Sequence, residues 1–224
     1  MSRSTVVIET VVGSADLVTE PLIAAVQDLC DRVEAEDGPV VAVLRVGGPA
    51  PDGPDPDGDL VVHLVNRWER ALRRLEKLPA PTVALADGLV AGPALETLLS
   101  ADYRVGTPGV VLRPPVAAGE PWPGMLVHRL AQQVSVARAR RFVLFGGALD
   151  AETALADGLL DLVTGPEGWD PAGFRLAEGL AGSELAIRRR LLLEAATTSF
   201  EEALGAHLAA CDRTLRRLRA EVAS

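Results

Sequence analysis

The stretch from Leu75 to Val105, LEKLPAPTVALADGLVAGPALETLLSADYRV, is where residue types and order could do chemistry. It reads as a helix end, a Pro79-x-Pro81 break, a buried strand, Asp87-Gly88, a turn at Gly92-Pro93, a short helix carrying Glu96, and Asp102 before another strand. Carboxylates beside such a turn are groups that hold or move protons. Other chemistries lack their motifs. The sequence has no Gly-x-Gly-x-x-Gly, no Walker-type Gly/Lys loop and no Gly-x-Ser-x-Gly elbow. His63, His128 and His207 are well separated and form no His-Glu-x-x-His pair; His63 and His207 fall in helical patterns, as surface or hydrogen-bonded histidines do. Cys30 and Cys211 give neither a metal spacing nor a disulfide framework, and read as two buried thiols in a reducing compartment.

The elements that must position this stretch follow from periodicity. Thr5–Val12 is β-branched and reads as a strand. Leu22, Ile23, Val26, Leu29 and Val33 give helical spacing over residues 20–34, and Pro39–Val46 is a buried parallel strand. Residues 47–59, GGPAPDGPDPDGD, are a loop. Leu60–Leu78 is an amphipathic helix with Val61, Leu64, Val65, Trp68, Leu72 and Leu75 on one face. Its arginines, mostly on the other, form either a solvated basic face or a phosphate or partner contact. Thr82–Ala86 is a strand ending at Asp87-Gly88, and Ala94–Ala101 a helix. Strands are expected at Asp102–Val105, Val110–Arg113 and Leu159–Val163, with a loop over Pro114–Gly124. Helices follow at Met125–Gln133, Val136–Phe145 and Ala151–Asp157, then two long ones at Ala172–Ala195 and Phe200–Val222. The last opens on a capping box, Ser199-Phe200-Glu201-Glu202. Alternating strands and helices followed by helices alone make an α/β chain with a helical C-terminal part: a core over 1–165 and a helical segment over 166–224, within one domain.

Composition bounds the function. A chain of 224 residues suffices for one sizeable core. A net charge of -9 argues against a general nucleic-acid binder, though a local Arg cluster can still bind an anionic ligand. No run is long enough for a signal peptide or a membrane span, so a cytoplasmic location is expected.

The Leu75–Val105 segment closely resembles the signature of the crotonase (enoyl-CoA hydratase/isomerase) superfamily. There a Pro, an apolar strand, Asn/Asp-Gly, three loop residues, Gly-Gly-Gly, one residue, Glu and a buried Asp follow in order. Here these are Pro81, Val83–Ala86, Asp87-Gly88, Gly92-Pro93-Ala94, Glu96 and Asp102. VVAVLRVGG and DGDL upstream, and FVLFGGALDAETALADGLLDLV downstream, extend the likeness over most of residues 39–163. The resemblance implies a crotonase (ClpP-like) fold with a repeated ββα-type core, and trimers or hexamers formed through the C-terminal helices. It also implies an acyl-CoA thioester as substrate, with no further cofactor. In such sites two backbone N–H groups face the thioester oxygen where enolate charge grows, and one such donor is worth about 3 kcal/mol. By position one donor maps onto Gly58. The other falls on Pro93, which has no N–H. Proline is also a comfortable first helical residue. Gly92 or Ala94 could substitute only if the turn is shifted, and Gly92 is carried as the oxyanion residue. Of the two glutamates a hydratase uses, Glu96 matches the first. The second should lie near Pro115 or Val116, where neither residue is an acid; Glu120 could reach back.

Residues 66–79, 120–133 and 184–213 resemble one branch more closely, the small crotonase-like accessory proteins of actinobacterial 3,5-dihydroxyphenylglycine pathways, which serve antibiotic biosynthesis. This implies work beside a type III polyketide synthase and other crotonase-like proteins, assisting dehydration and aromatisation to 3,5-dihydroxyphenylacetyl-CoA. Three functions stay open: a lyase-like dehydratase using Glu96, a non-catalytic subunit that binds the synthase or its CoA product, and a plain enoyl-CoA hydratase/isomerase.

Overall fold

The computed structural model describes residues 5–15, 17–48, 62–117, 120–122, 124–169 and 183–222. Strands and helices alternate through the first half: β1 (Val6–Val12), α1 (Glu20–Glu34), β2 (Val40–Gly48), α2 (Val62–Leu75), β3 (Thr82–Ala91), α3 (Pro93–Leu99) and β4 (Tyr103–Gly106). Shorter elements follow: β5 (Val111–Arg113), a hairpin of β6 (Val116–Ala117) and β7 (Glu120–Pro121), α4 (Leu126–Gln133), α5 (Val136–Phe145), β8 (Leu149–Asp150), α6 (Ala151–Ala156) and β9 (Leu162–Val163). The chain ends in α7 (Ser183–Ala195) and α8 (Phe200–Val222).

The parallel sheet runs β1-β2-β3-β4-β9. Alternation along β2 sends Ala42, Leu44 and Val46 into the main core under α1, α2 and α3. Val41 and Val43 face a smaller cluster with Val83, Leu85 and Val105. Helix α1 buries Ile23, Val26, Leu29, Cys30 and Val33, the three-to-four spacing of one apolar face. Helix α2 buries Trp68, Ala71, Leu72 and Leu75. Its basic face is partly committed: Arg74 pairs with Asp31 at 2.6 Å and with Glu34, and Arg67 pairs with Glu20, tying α2 to α1. These exposed pairs add little stability.

Strand β3 outruns the sequence expectation. Asp87-Gly88 reads as a turn, yet the chain stays in the sheet to Ala91. Gly88 is accommodated by an irregularity opposite Gly48 on β2. The strand then changes partner: Val83–Ala86 pair with β4, and Leu89–Ala91 pair with β5. This delivers Gly92 to the point where the two sheet regions diverge. Ser14, in the segment after β1, fastens the same end by donating to Leu89 O at 2.5 Å and accepting from Ala91 N at 3.1 Å.

Other expectations are corrected. The strand expected at Leu159–Val163 shrinks to Leu162–Val163, because Leu159 and Leu160 instead bury as a turn closing α6. The loop expected at Pro114–Gly124 contains the β6–β7 hairpin. Cys30 is buried, but Cys211 is exposed on α8. Asp102, expected buried, has a side chain 30% exposed. It binds Thr82 N and Oγ1, both at 2.9 Å, and pairs with Arg189 of α7. Arg189 also donates to Leu78 O and Ala80 O, so one buried guanidinium fastens α7 to the end of α2 and the start of β3. At the start of α8, Ser199 N donates to Glu202 Oε2 and Glu202 N to Ser199 Oγ, the reciprocal bonds of the expected capping box. Exposed Phe200, Leu204, Leu208, Leu215 and Leu218 run along this helix.

Candidate active site

Glu96 is on the first turn of α3, held there by backbone geometry. Gly92 caps the helix with φ 54° and ψ −128°, a conformation that side chains disfavour, and its carbonyl accepts from Leu95 N at 3.0 Å and Glu96 N at 3.1 Å. Pro93 is the first helical residue, where its missing N–H costs the helix nothing. All of α3 is buried, so the first-turn acid has to point into protein.

The Glu96 side chain, 4% exposed, borders a cavity of about 20 Å³, room for one water-sized molecule. Trp68 Nε1 donates to Glu96 Oε2 at 2.6 Å. Gly124 closes the other side. A Cβ there would lie 3.1 Å from Glu96 Oε1 and 2.7 Å from Trp122 Nε1, so the chain can pass only without a side chain. Trp122 is placed by its N–H bond to Pro115 O at 2.9 Å. Pro115 and Trp122 both line the cavity, as do Gly92 and Pro93.

Burial pushes the Glu96 carboxyl up to about 7. The neighbouring negative charge of Glu69 adds to this, while the Trp68 donor and the charge of Arg129 pull partly back. Arg129 of α4 is itself buried and bonds Glu69 Oε2 at 2.8 Å and Glu76 Oε1 at 3.0 Å. Burial works against its charge, and the two glutamates more than offset that. A carboxyl near 7 inside a small, mostly apolar cavity can both give and take a proton at neutral pH.

The sequence-derived residues therefore divide. Glu96 and Gly92 come together at the cavity. Pro93 is beside them with no N–H to offer. Glu120 pairs with Ala117 across the short hairpin, and its side chain lies outside the described part of the structure, as does Gly58 altogether. Pro115 stands at the cavity wall where an acid was sought. Sequence reasoning took Trp68 only as a core residue and passed over Glu69, Arg129 and Gly124. A buried indole does need a partner for its N–H, which was the available signal. Among the described residues no group of His, Cys, Asp and Glu is arranged to hold a metal ion, and no helix is long and apolar enough to cross a membrane.

Comparisons with known proteins agree with this architecture. No family model matches the chain. An enoyl-CoA-hydratase of Amycolatopsis orientalis is 47% identical over 192 residues, covering 84% of this chain and 87% of that protein. YngF of Bacillus subtilis, named for enoyl-CoA hydratases/isomerases, is 30% identical over 133 residues, 58% of this chain and 51% of YngF. Among solved structures, an enoyl-CoA hydratase/isomerase family protein from Silicibacter pomeroyi superposes with a TM-score of 0.79 at 19% identity, over 93% of this chain and 96% of its own. One from Cupriavidus metallidurans gives 0.76 at 19% identity, over 93% and 84%. At these identities the structures speak for the fold, which is the crotonase fold, and the Amycolatopsis relative speaks for the family. The chain belongs to the enoyl-CoA hydratase/isomerase (crotonase) superfamily.

Proposed function

We propose that the protein acts on a polyketide-derived CoA thioester, assisting its dehydration and aromatisation to 3,5-dihydroxyphenylacetyl-CoA beside a type III polyketide synthase, with Glu96 moving the proton. The carrying observation is the buried Glu96 carboxyl, held by Trp68 in a small cavity with its pKa raised to about 7. Loss of water that creates an aromatic ring is strongly downhill. It can proceed at a site whose oxyanion donors are reduced by Pro93. Gly58 and Gly92 are the residues proposed to face the thioester oxygen. The test adds wild-type protein or Glu96→Gln to the synthase and malonyl-CoA and measures 3,5-dihydroxyphenylacetyl-CoA. A yield unchanged by Glu96→Gln refutes Glu96 catalysis.

Two rival readings have their own support. Pro93 and Pro115, at positions where a donor and an acid were sought, favour a non-catalytic subunit that binds the synthase or its product; that reading expects Glu96→Gln to behave as wild type. Family membership fits a plain hydratase/isomerase equally well, and turnover of crotonyl-CoA by the protein alone at hydratase-like rates would establish it. The exposed apolar residues of α8, with Phe200 74% and Leu208 59% exposed, support assembly into a homotrimer or hexamer, which light scattering would test.

A further inference from the structure

The cavity at Glu96 is not closed by apolar residues alone. Glu69, the residue after Trp68 on α2, lines it too. On its other side Glu69 lines a far larger open cleft of about 920 Å³, bounded by α2, α4 and α7. Among the described residues Glu69 is the one that borders both spaces. Its side chain is 18% exposed, between the buried Glu96 and solvent. Arg129, reaching across from α4, fixes it with a 2.8 Å ion pair, and Arg129 is fixed in turn by Glu76. A carboxylate on a rigid helix, oriented by a buried guanidinium and adjoining a second buried carboxyl, has the placement of an acid–base partner.

We propose that Glu69 is the second acid–base carboxylate of the site, taking the position in chemistry that Pro115 leaves empty. The inference rests on the reading of Glu96 as the proton-carrying acid. In a dehydration, the Glu69 carboxylate takes the proton from the carbon next to the thioester carbonyl. The C–H electron pair moves into the enolate and then forms the new C=C bond as the β C–O bond breaks. The departing hydroxyl leaves as water with the proton of the Glu96 carboxyl. Glu69 ends protonated and Glu96 ionised. The cleft beside Glu69 then takes one proton out as solvent returns one to Glu96, so the balance closes without any oxidant or metal.

The experiment isolates the first of these steps. Exchange of the α-protons of phenylacetyl-CoA in D2O is followed by mass spectrometry with wild type, Glu69→Gln, Glu69→Asp and Ser199→Ala. This exchange needs a base and an outlet to solvent but no leaving group. The expected result is exchange by wild type, a fall of about 100-fold or more in Glu69→Gln, a smaller fall in Glu69→Asp, and exchange retained within a few-fold in Ser199→Ala, which weakens the fold away from the site. Glu69→Asp keeps a negative charge for Arg129, so it answers the question should Glu69→Gln not fold. A residue that only supported the fold would not separate exchange in this way. No exchange by wild type, or equal exchange by the Glu69 variants, overturns the inference. The synthase assay with Glu96→Gln fails or succeeds independently, and so tells failure of the functional reading from failure of the Glu69 assignment.

Discussion

Replacing Glu96 with glutamine should make the folded protein more stable, and by an amount that grows with pH. In the unfolded chain the carboxyl titrates at the ordinary 4.5, and in the fold at about 7. The native state thus binds more protons than the unfolded state between those values, and wild-type stability falls as pH rises from about 4.5 to about 7, then levels. At 1.36 kcal/mol for each unit of pKa, the full penalty is about 3 kcal/mol. Since the side chain is 4% exposed, solvent screening does not erase it. Glutamine keeps an oxygen for the Trp68 N–H and never ionises, so its stability lacks this slope. Urea denaturation of both proteins at pH 5.5 and 8.5 measures the difference. The advantage of Glu96→Gln should widen by about 2 kcal/mol between the two. Parallel pH dependence, within about 0.5 kcal/mol, would refute the claim that Glu96 is held as a costly anion above neutrality.

Other substitutions probe neighbouring parts of the argument. Pro93→Gly puts a backbone N–H at the start of α3; enolate-forming turnover should rise by about 10- to 100-fold, measured as α-proton exchange, at a stability cost of about 1 kcal/mol. Arg189→Met keeps the stem but strands the carbonyls of Leu78 and Ala80 and removes the cation beside Asp102; urea titration should show a loss of about 3 kcal/mol. Ser199→Ala removes half of the capping box of α8 and should cost about 1 kcal/mol, read as faster hydrogen exchange over residues 200–204.

The legible parts of the fold are those decided locally. Helices α5 and α8 begin and end where the sequence places them, because Ser135 and Ser199 cap them and Gly146 closes α5 in the left-handed conformation. The end of β3 is not legible because Asp87-Gly88 is a strong turn signal, while pairing with β2 and β5 and the two bonds of Ser14, all long-range, keep the strand going. The site shows the same division. Glu96 stood out through its place after Gly92. Its hydrogen bond to Trp68 spans 28 residues, and the ion pair of Arg129 with Glu69 joins two helices that the sequence gives no reason to pair. The tie between Arg189 and Asp102 spans 87 residues. Such contacts depend on which buried groups meet after packing.

The chain has three tryptophans, and two of them, Trp68 and Trp122, line the Glu96 cavity. One is hydrogen-bonded to the very carboxyl whose proton is at issue. The site is therefore wired to an optical signal. An indole N–H facing an anion emits differently from one facing a neutral acid, so the protein's own fluorescence is expected to follow the ionisation of Glu96, with a midpoint at about pH 7. Entry of a thioester beside Trp122 would register in the same channel, without a label and without turnover.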